Sequence, residues 1–377
     1  MKQIIILAFL SFGCSFGWSQ IDSNPNHPKG QEVSPILKSL AENGCPGVSL
    51  ALLDSDGWWL QSEGFSNIEA QQKMENTFLH YLQSVSKTYM AVATLQLFEE
   101  GKLQLDDPID QYLAPEVSEM IDRANEITIK MLLNHTSGIP EYNFHPAYAS
   151  TLLQHPETAF TAKDYIKFID GKKLTFEPGS QYSYRNTNYV LLALIADSIT
   201  GDHGVYIKEN IFKPLGLQHT YYRISDEKLN GETLSSSYWD RYSDGILENI
   251  SHIQKQNVTY MVGDDGIVTT PKEAILFLKG LLEGKLLKES TLKLMMTWVN
   301  NWEDRPVYGL GLGHGNILGH PFYGHSGGGI GAGCELRYSP ETNRYMFIAI
   351  NIGTVTYSPL HIPLEELRNQ LFLAMVE

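Results

Sequence analysis

The sequence predicts an α/β fold of the α+β kind: a mostly antiparallel sheet built from both chain ends, flanked by helices, with a helical subdomain inserted between. Three observations predict it. Strand patterns cluster near the two termini, helical patterns fill the middle, and several of the central segments end in Gly, the usual left-handed stop of a helix. With 377 residues, 42% of them hydrophobic, the chain can bury a large core.

The elements follow in order. Residues 1–19 of "MKQIIILAFLSFGCSFGWSQ" carry one lysine, a short apolar run and then small residues, the form of a secretory signal. That predicts a secreted or periplasmic protein; the rival is a lipoprotein anchored through Cys14, whose preceding "LSFG" fits a lipobox poorly. Polar, Pro/Gly-bearing residues 20–32 are taken as a tether, and 33–377 as a single domain. A short helix is expected in "SPILKSLAENG", with Gly44 as its stop. "GVSLALLDSDGWWLQSEGFSN" gives two strands about a "DSDG" turn. Their sheet partners are "FYGHSGGG", "CELRYSP" and "YMFIAINIG", with "SPETN" turning between the last two. The amphipathic "LEELRNQLFLAMV" would cover one sheet face. Between lies the helical insertion, roughly 99–300, with "KTYMAVATLQLFEEG" leading into it and "TNYVLLALIADSITG" and "PKEAILFLKGLLEG" inside it.

Charge and composition exclude some functions. A net charge of −15 argues against nucleic acid and against anionic lipid, and no segment after the leader has the length and apolarity of a transmembrane span. The twelve histidines show no HxH or HExxH spacing and no Cys/His cluster, so no metal site is expected. Once the leader is removed, Cys45 and Cys334 remain. The sequence leaves open whether they pair or stay as buried thiols.

The chemistry begins at "QSVSKTYMAVATLQLFEEG". Ser84 and Lys87 are three apart, so on a helix the ammonium reaches the hydroxyl. A serine needs a base to become a nucleophile, and a desolvated lysine can be that base. The eleven uncharged residues from Thr88 to Phe98 supply the desolvation. SxxK alone is weak: it recurs at Ser225–Lys228, a solvated turn, and at Ser290–Lys293, in an ordinary amphipathic helix. Tyr184 and Asn186, in "EPGSQYSYRNTNYVLL", offer a phenol that could ionise beside an ammonium and act as general base, and an amide for a substrate carbonyl, against the plain alternative of a surface tyrosine. His325 opens "HSGGGIGAG", where glycines let a ligand approach the backbone. His135, in "LLNHTSGIPEY", is taken as a capping or packing residue and not as a base.

Taken together, Ser84–Lys87, Tyr184–Asn186 and His325–Gly327 resemble the three motifs of the serine β-lactamase and penicillin-binding protein superfamily. The similarity is greatest to the class C-like branch, which includes class C β-lactamases, D-Ala-D-Ala carboxypeptidases, D-aminopeptidases and family VIII-type esterases. "ITIKMLLNHTSGIPEY" is similar to the family's "LLTHTSGLPDY", and "FEPGSQYSYRNTNYVLLALI" to its "PGxxFxYSNxNYxLLG". The resemblance runs from about residue 33 to the end. It implies the β-lactamase/transpeptidase-like fold, with no metal or organic cofactor. Ser84 would be acylated, and Lys87 and Tyr184 would share the proton work. Asn186 would bind the substrate amide, the N–H groups of Ser84 and Gly328 would form the oxyanion hole, and His325, Ser326 and Gly327 would line the substrate's strand edge. Two departures stand out: "YRN" replaces "YSN", and His-Ser-Gly replaces Lys-Thr-Gly, removing a fixed ammonium for a substrate carboxylate. The expected function is an exported serine hydrolase acting through an acyl-enzyme on D-amino-acid peptides, some of them peptidoglycan-derived, or on small esters and amides. The alternative is a penicillin-binding sensor that acylates slowly and stalls.

Overall fold

The structure, a computed structural model, describes residues 23–377. The leader and Cys14 lie outside the described residues. Nine strands form one sheet, antiparallel throughout. In chain order they are β1 (Gly47–Asp54), β2 (Gly57–Asn67), β3 (Gln72–Lys73), β4 (Val299–Asn300), β5 (Pro306–Tyr308), β6 (Gly313–Ile317), β7 (His320–Gly328), β8 (Gly333–Ser339) and β9 (Arg344–Ile350). Their spatial order is β3-β2-β1-β9-β8-β7-β6-β5-β4. The first hairpin therefore pairs with the last strand, Val48 opposite Ile350 through Leu53 opposite Tyr345, so both chain ends build one sheet.

Alternation along the strands separates two cores. Leu50, Met346, Ile348 and Phe322 face α1 (Pro28–Glu42) and the C-terminal helix His361–Val376. Ala51, Leu336 and Phe347 face the larger core around α2 (Ser86–Glu99), α3 (Asn186–Thr200) and α4 (Pro271–Leu282). Along α2, every residue from Ser86 to Leu95 is buried. A helix apolar on all sides belongs inside a protein, and this one runs between the sheet and the helical region.

The polar stretch 20–32 does not hang free over its described part. Residues 28–32 are the first turn of α1, with Pro28 leading and the His27 side chain accepting the Gly30 N–H. His27 is fully buried against Asp54 at 3.0 Å, and Asn24 N–H donates to the Trp58 carbonyl at 2.7 Å. Local composition suggested a loop, but pairing with the sheet fastens it. The inserted region also differs from a purely helical one. It contributes Thr220–Tyr222 and Ile267–Thr269 to a three-stranded sheet with His80–Tyr81. Helix α4, inside the span 99–300, packs on β1 and β9 and so belongs to the sheet layer. Cys45 and Cys334 are free and buried in different cores. Among the described residues no single helix is long and apolar enough to cross a membrane.

Candidate active site

Ser84 lies just ahead of the α-helix rather than in it. Residues Gln83–Val85 make a 3₁₀ turn that runs into α2 at Ser86. The turn starts from a left-handed Gln83 (φ 48°), a conformation that costs energy for a residue with a side chain. Tertiary contacts hold it: Leu82 N–H donates to the Ile267 carbonyl at 3.0 Å, and the Cys334 thiol to the Leu82 carbonyl at 3.2 Å.

Lys87 is fully buried. Its Nζ donates to Ser84 Oγ at 3.0 Å and to the main-chain carbonyl of Asp264 at 2.7 Å. Burial lowers the ammonium pKa below that of a free lysine, while Asp264, Asp265 and Glu141 act in the opposite direction. The contact predicted from the i, i+3 spacing is therefore formed, and a distant loop reinforces it.

Tyr184 arrives on the extended segment before α3. The Lys87 Nζ stands 5.2 Å from the centre of its ring, and the phenol oxygen is buried. Burial pushes the phenol well above its ordinary pKa; Ser84 lies near enough to oppose this slightly, without a well-formed hydrogen bond. Tyr184 is thus held as a protonated phenol, not the ionised base expected from the sequence, because burial outweighs its neighbours. Asn186 opens α3, with its N–H held by Glu141 Oε2 at 2.5 Å and its side chain on the cleft. Arg185 turns back to donate to the Tyr184 carbonyl at 3.0 Å.

A cleft of about 300 Å³ brings together Ser84, Asn186 and Gly328. The other three residues of the glycine-rich motif do not line it. His325 is buried behind Tyr184, its Nε2 2.9 Å from the Tyr308 hydroxyl and its Nδ1 2.6 Å from the Ser326 carbonyl oxygen. Burial lowers its pKa to about 3, so it is neutral. Ser326 lies opposite Glu335, on the other sheet face, in a separate groove of about 380 Å³ by the C-terminal helix. Period-two alternation sends neighbouring side chains to opposite faces. Gly327 packs against the Leu82 carbonyl, which a Cβ would strike. The strand edge expected at this motif does exist as backbone. Pairing of β6 with β7 stops at Gly313–Gly324, leaving 325–328 unpaired on that side.

Sequence reasoning passed over four residues. Asp264 and Asp265 line the cleft, as does Gln254, and Glu141 lies directly behind Asn186. The signal was present in "GDDG", two adjacent acids between glycines and next to an apolar strand, and in the acid of "GIPEY".

A family model described as Beta-lactamase matches residues 33–364. The chain belongs to the Beta-lactamase family. This is a β-lactamase-related family of serine hydrolases. Within it, the chain is 29% identical over 272 residues to the "Putative penicillin-binding protein PbpX" of Bacillus subtilis (strain 168), covering 71% of this chain and 62% of that one. It is 24% identical over 365 residues to the "Putative D-alanyl-D-alanine carboxypeptidase" of Escherichia coli (strain K12), covering 86% and 83%. The matches span less than two thirds of the first curated relatives' own length: 62% of that penicillin-binding protein, and 39% of protein flp from Staphylococcus aureus (strain MW2), where 52% of this chain aligns. Among solved structures it is similar to a D-stereospecific amidohydrolase from Streptomyces sp., with TM-score 0.76 and 26% identity over 87% of this chain and 95% of that one. In this chain Ser84, Asn186 and Gly328 line one cleft, while Lys87 and the Tyr184 hydroxyl are buried and do not line it.

Proposed function

We propose that this protein is a serine hydrolase in which Ser84 is acylated by D-amino-acid peptides or small amides and esters. The observation that carries the reading is the 3.0 Å contact from the fully buried Lys87 Nζ to Ser84 Oγ at the cleft wall. In its neutral form Lys87 takes the Ser84 proton as Oγ attacks the substrate carbonyl. The N–H groups of Ser84 and Gly328 receive the developing oxyanion. Tyr184, a protonated phenol near both groups, hands a proton to the leaving amine or alcohol and regains one from Lys87. Water then enters, gives its proton back along the same path, and releases the acid. The amide of Asn186 orients the substrate. The similarity to a D-stereospecific amidohydrolase supports D-amino-acid chemistry, and the resemblance to a carboxypeptidase relative supports peptides derived from peptidoglycan. The leader read at 1–19 would place this activity outside the cytoplasm, which N-terminal sequencing of the recovered protein tests.

The test is hydrolysis of p-nitrophenyl butyrate by wild type and Ser84→Ala, with intact-mass spectra after a serine-directed phosphonate. Wild type should turn over the ester and gain one adduct, and the variant should do neither. Undiminished turnover in the variant removes the proposal. A persistent β-lactam adduct on wild type, with no turnover of any ester or amide, would instead identify a stalled penicillin-binding sensor.

A further inference from the structure

The cleft wall carries an unusual charge. Among the described residues that line it there is no Lys, Arg or His, yet Asp264 and Asp265 both do. Glu141 stands immediately behind, 6% exposed. Three buried carboxyls thus share one neighbouring cation, Lys87. Glu141 is satisfied by the N–H groups of Asn186 and Asn143. Asp264 is only half satisfied. Its Oδ2 accepts from the Tyr142 hydroxyl at 2.8 Å, while its Oδ1 is buried without a partner.

A second side chain points to the same vacancy independently. Gln254, on the helix Ser251–Tyr260, lines the cleft, is 1% exposed, and has neither its amide oxygen nor its amide nitrogen hydrogen-bonded. Buried polar groups are nearly always paired, and an unpaired carboxylate is more costly still. Asp264 Oδ1 and the Gln254 amide oxygen are acceptors for which the chain supplies no donor, while the amide nitrogens of Gln254 and Gln83 on the same wall are donors left for the rest of a polar ligand. The place of these groups relative to the reaction is set by two contacts: Lys87 Nζ bridges Ser84 Oγ and the main chain of Asp264. The Asp264 main chain therefore lies beside the nucleophile's lysine, and Asp264 and Asp265 line the same cleft as Ser84. In an α-amino-acid derivative the ammonium is one carbon away from the reacting carbonyl. The cleft's outer parts are apolar, with Phe144 78% exposed and Val355 57% exposed.

We infer that the cleft recognises the free α-ammonium of an amino-acid amide or of a peptide N-terminus, held by Asp264, Asp265 and Gln254, with an apolar side chain against Phe144 and Val355. This rests on the proposed acyl-enzyme function and narrows its substrates. The ammonium supplies the missing donor and favours the ionised form of acids that burial otherwise shifts toward neutral, so binding and ionisation of the wall reinforce one another. A substrate ending in a carboxylate would instead meet like charge with no cation on the wall to receive it.

The test uses full-length wild-type protein at neutral pH. D-phenylalanine p-nitroanilide should be cleaved with a kcat/KM at least about tenfold above that of its N-acetyl form, the effect of one lost charged contact. Asp265→Asn should bring that ratio to within about threefold. Independently of any variant, benzylamine should inhibit wild-type hydrolysis of p-nitrophenyl butyrate competitively, and benzyl alcohol at the same concentration should not. Equal cleavage of the acetylated substrate, or equal inhibition by the alcohol, overturns the inference while leaving the esterase reaction intact. If wild type neither hydrolyses the ester nor forms the serine adduct, the proposed function falls, and this inference falls with it.

Discussion

The imidazole of His135 lies against the ring of Tyr184, with centroids 4.3 Å apart, and its Nδ1 accepts the Arg185 N–H at 3.2 Å. The same nitrogen is 3.1 Å from the Asn188 amide nitrogen, so Nδ1 is the acceptor and the proton sits on Nε2. Burial holds the ring neutral, well below the ordinary histidine pKa, and the Lys87 charge adds to this. His135 is thus the support on which the Tyr184 segment rests. Its Nε2 is buried with no hydrogen-bond partner, so the ring makes no hydrogen bond to Ser84, and the residue occupies a left-handed backbone position (φ 61°).

Replacing that support should loosen Tyr184. His135→Ala strands the Arg185 N–H and the Asn188 amide, so stability should fall by about 2–4 kcal/mol, the cost of two buried unsatisfied groups. Because the Tyr184 hydroxyl shifts, kcat should fall more than KM rises, after correction for the folded fraction. Urea denaturation with steady-state kinetics checks this. A variant that loses stability yet keeps wild-type kcat would show that His135 does not position Tyr184.

The pH dependence of the reaction should follow Lys87 and ignore His325. A lysine base works only when unprotonated, so kcat/KM rises with pH through the Lys87 pKa. Burial brings that pKa below 10.5, and the rising limb should lie below that of a free lysine. His325, with its pKa lowered to about 3, is already neutral and adds no inflection between about pH 5 and 8. His325→Gln should therefore keep the shape of the profile even if it lowers the plateau. A limb near the usual histidine range that disappears in this variant would contradict the assignment.

Stability should carry the opposite trend at Asp265. Burial and the neighbouring Asp264 raise its carboxyl from 3.8 to about 7. A group whose folded pKa is raised contributes fully below its unfolded pKa, and the contribution is lost as pH rises through the folded value. The neutral Asp265→Asn should therefore gain on wild type between pH 3.8 and about 7, so its Tm advantage at pH 8 exceeds that at pH 4. Thermal melts at both pH values decide it. An equal difference at the two would mean that folding does not raise the Asp265 pKa.

The sequence by itself determined five strands of the sheet, β1, β2, β7, β8 and β9, because alternation at both ends and the "DSDG" and "SPETN" turns are local signals that the pairing Val48–Ile350 simply completes; the short outer strands β3 to β6 are not legible in it. It also determined the Ser84–Lys87 contact, which a helical spacing brings within reach, and the apolar run that buries the lysine. Tertiary structure decided the rest. Residues 23–32 look like a tether until Trp58 and Asp54 supply partners from a strand distant in sequence. Ser326 and His325 look like one motif until strand alternation puts them on opposite faces. The carboxyls of "GDDG" look like surface charge until the fold encloses them beside Lys87. Burial and charge proximity are sums over long-range neighbours, and no window of sequence contains those neighbours.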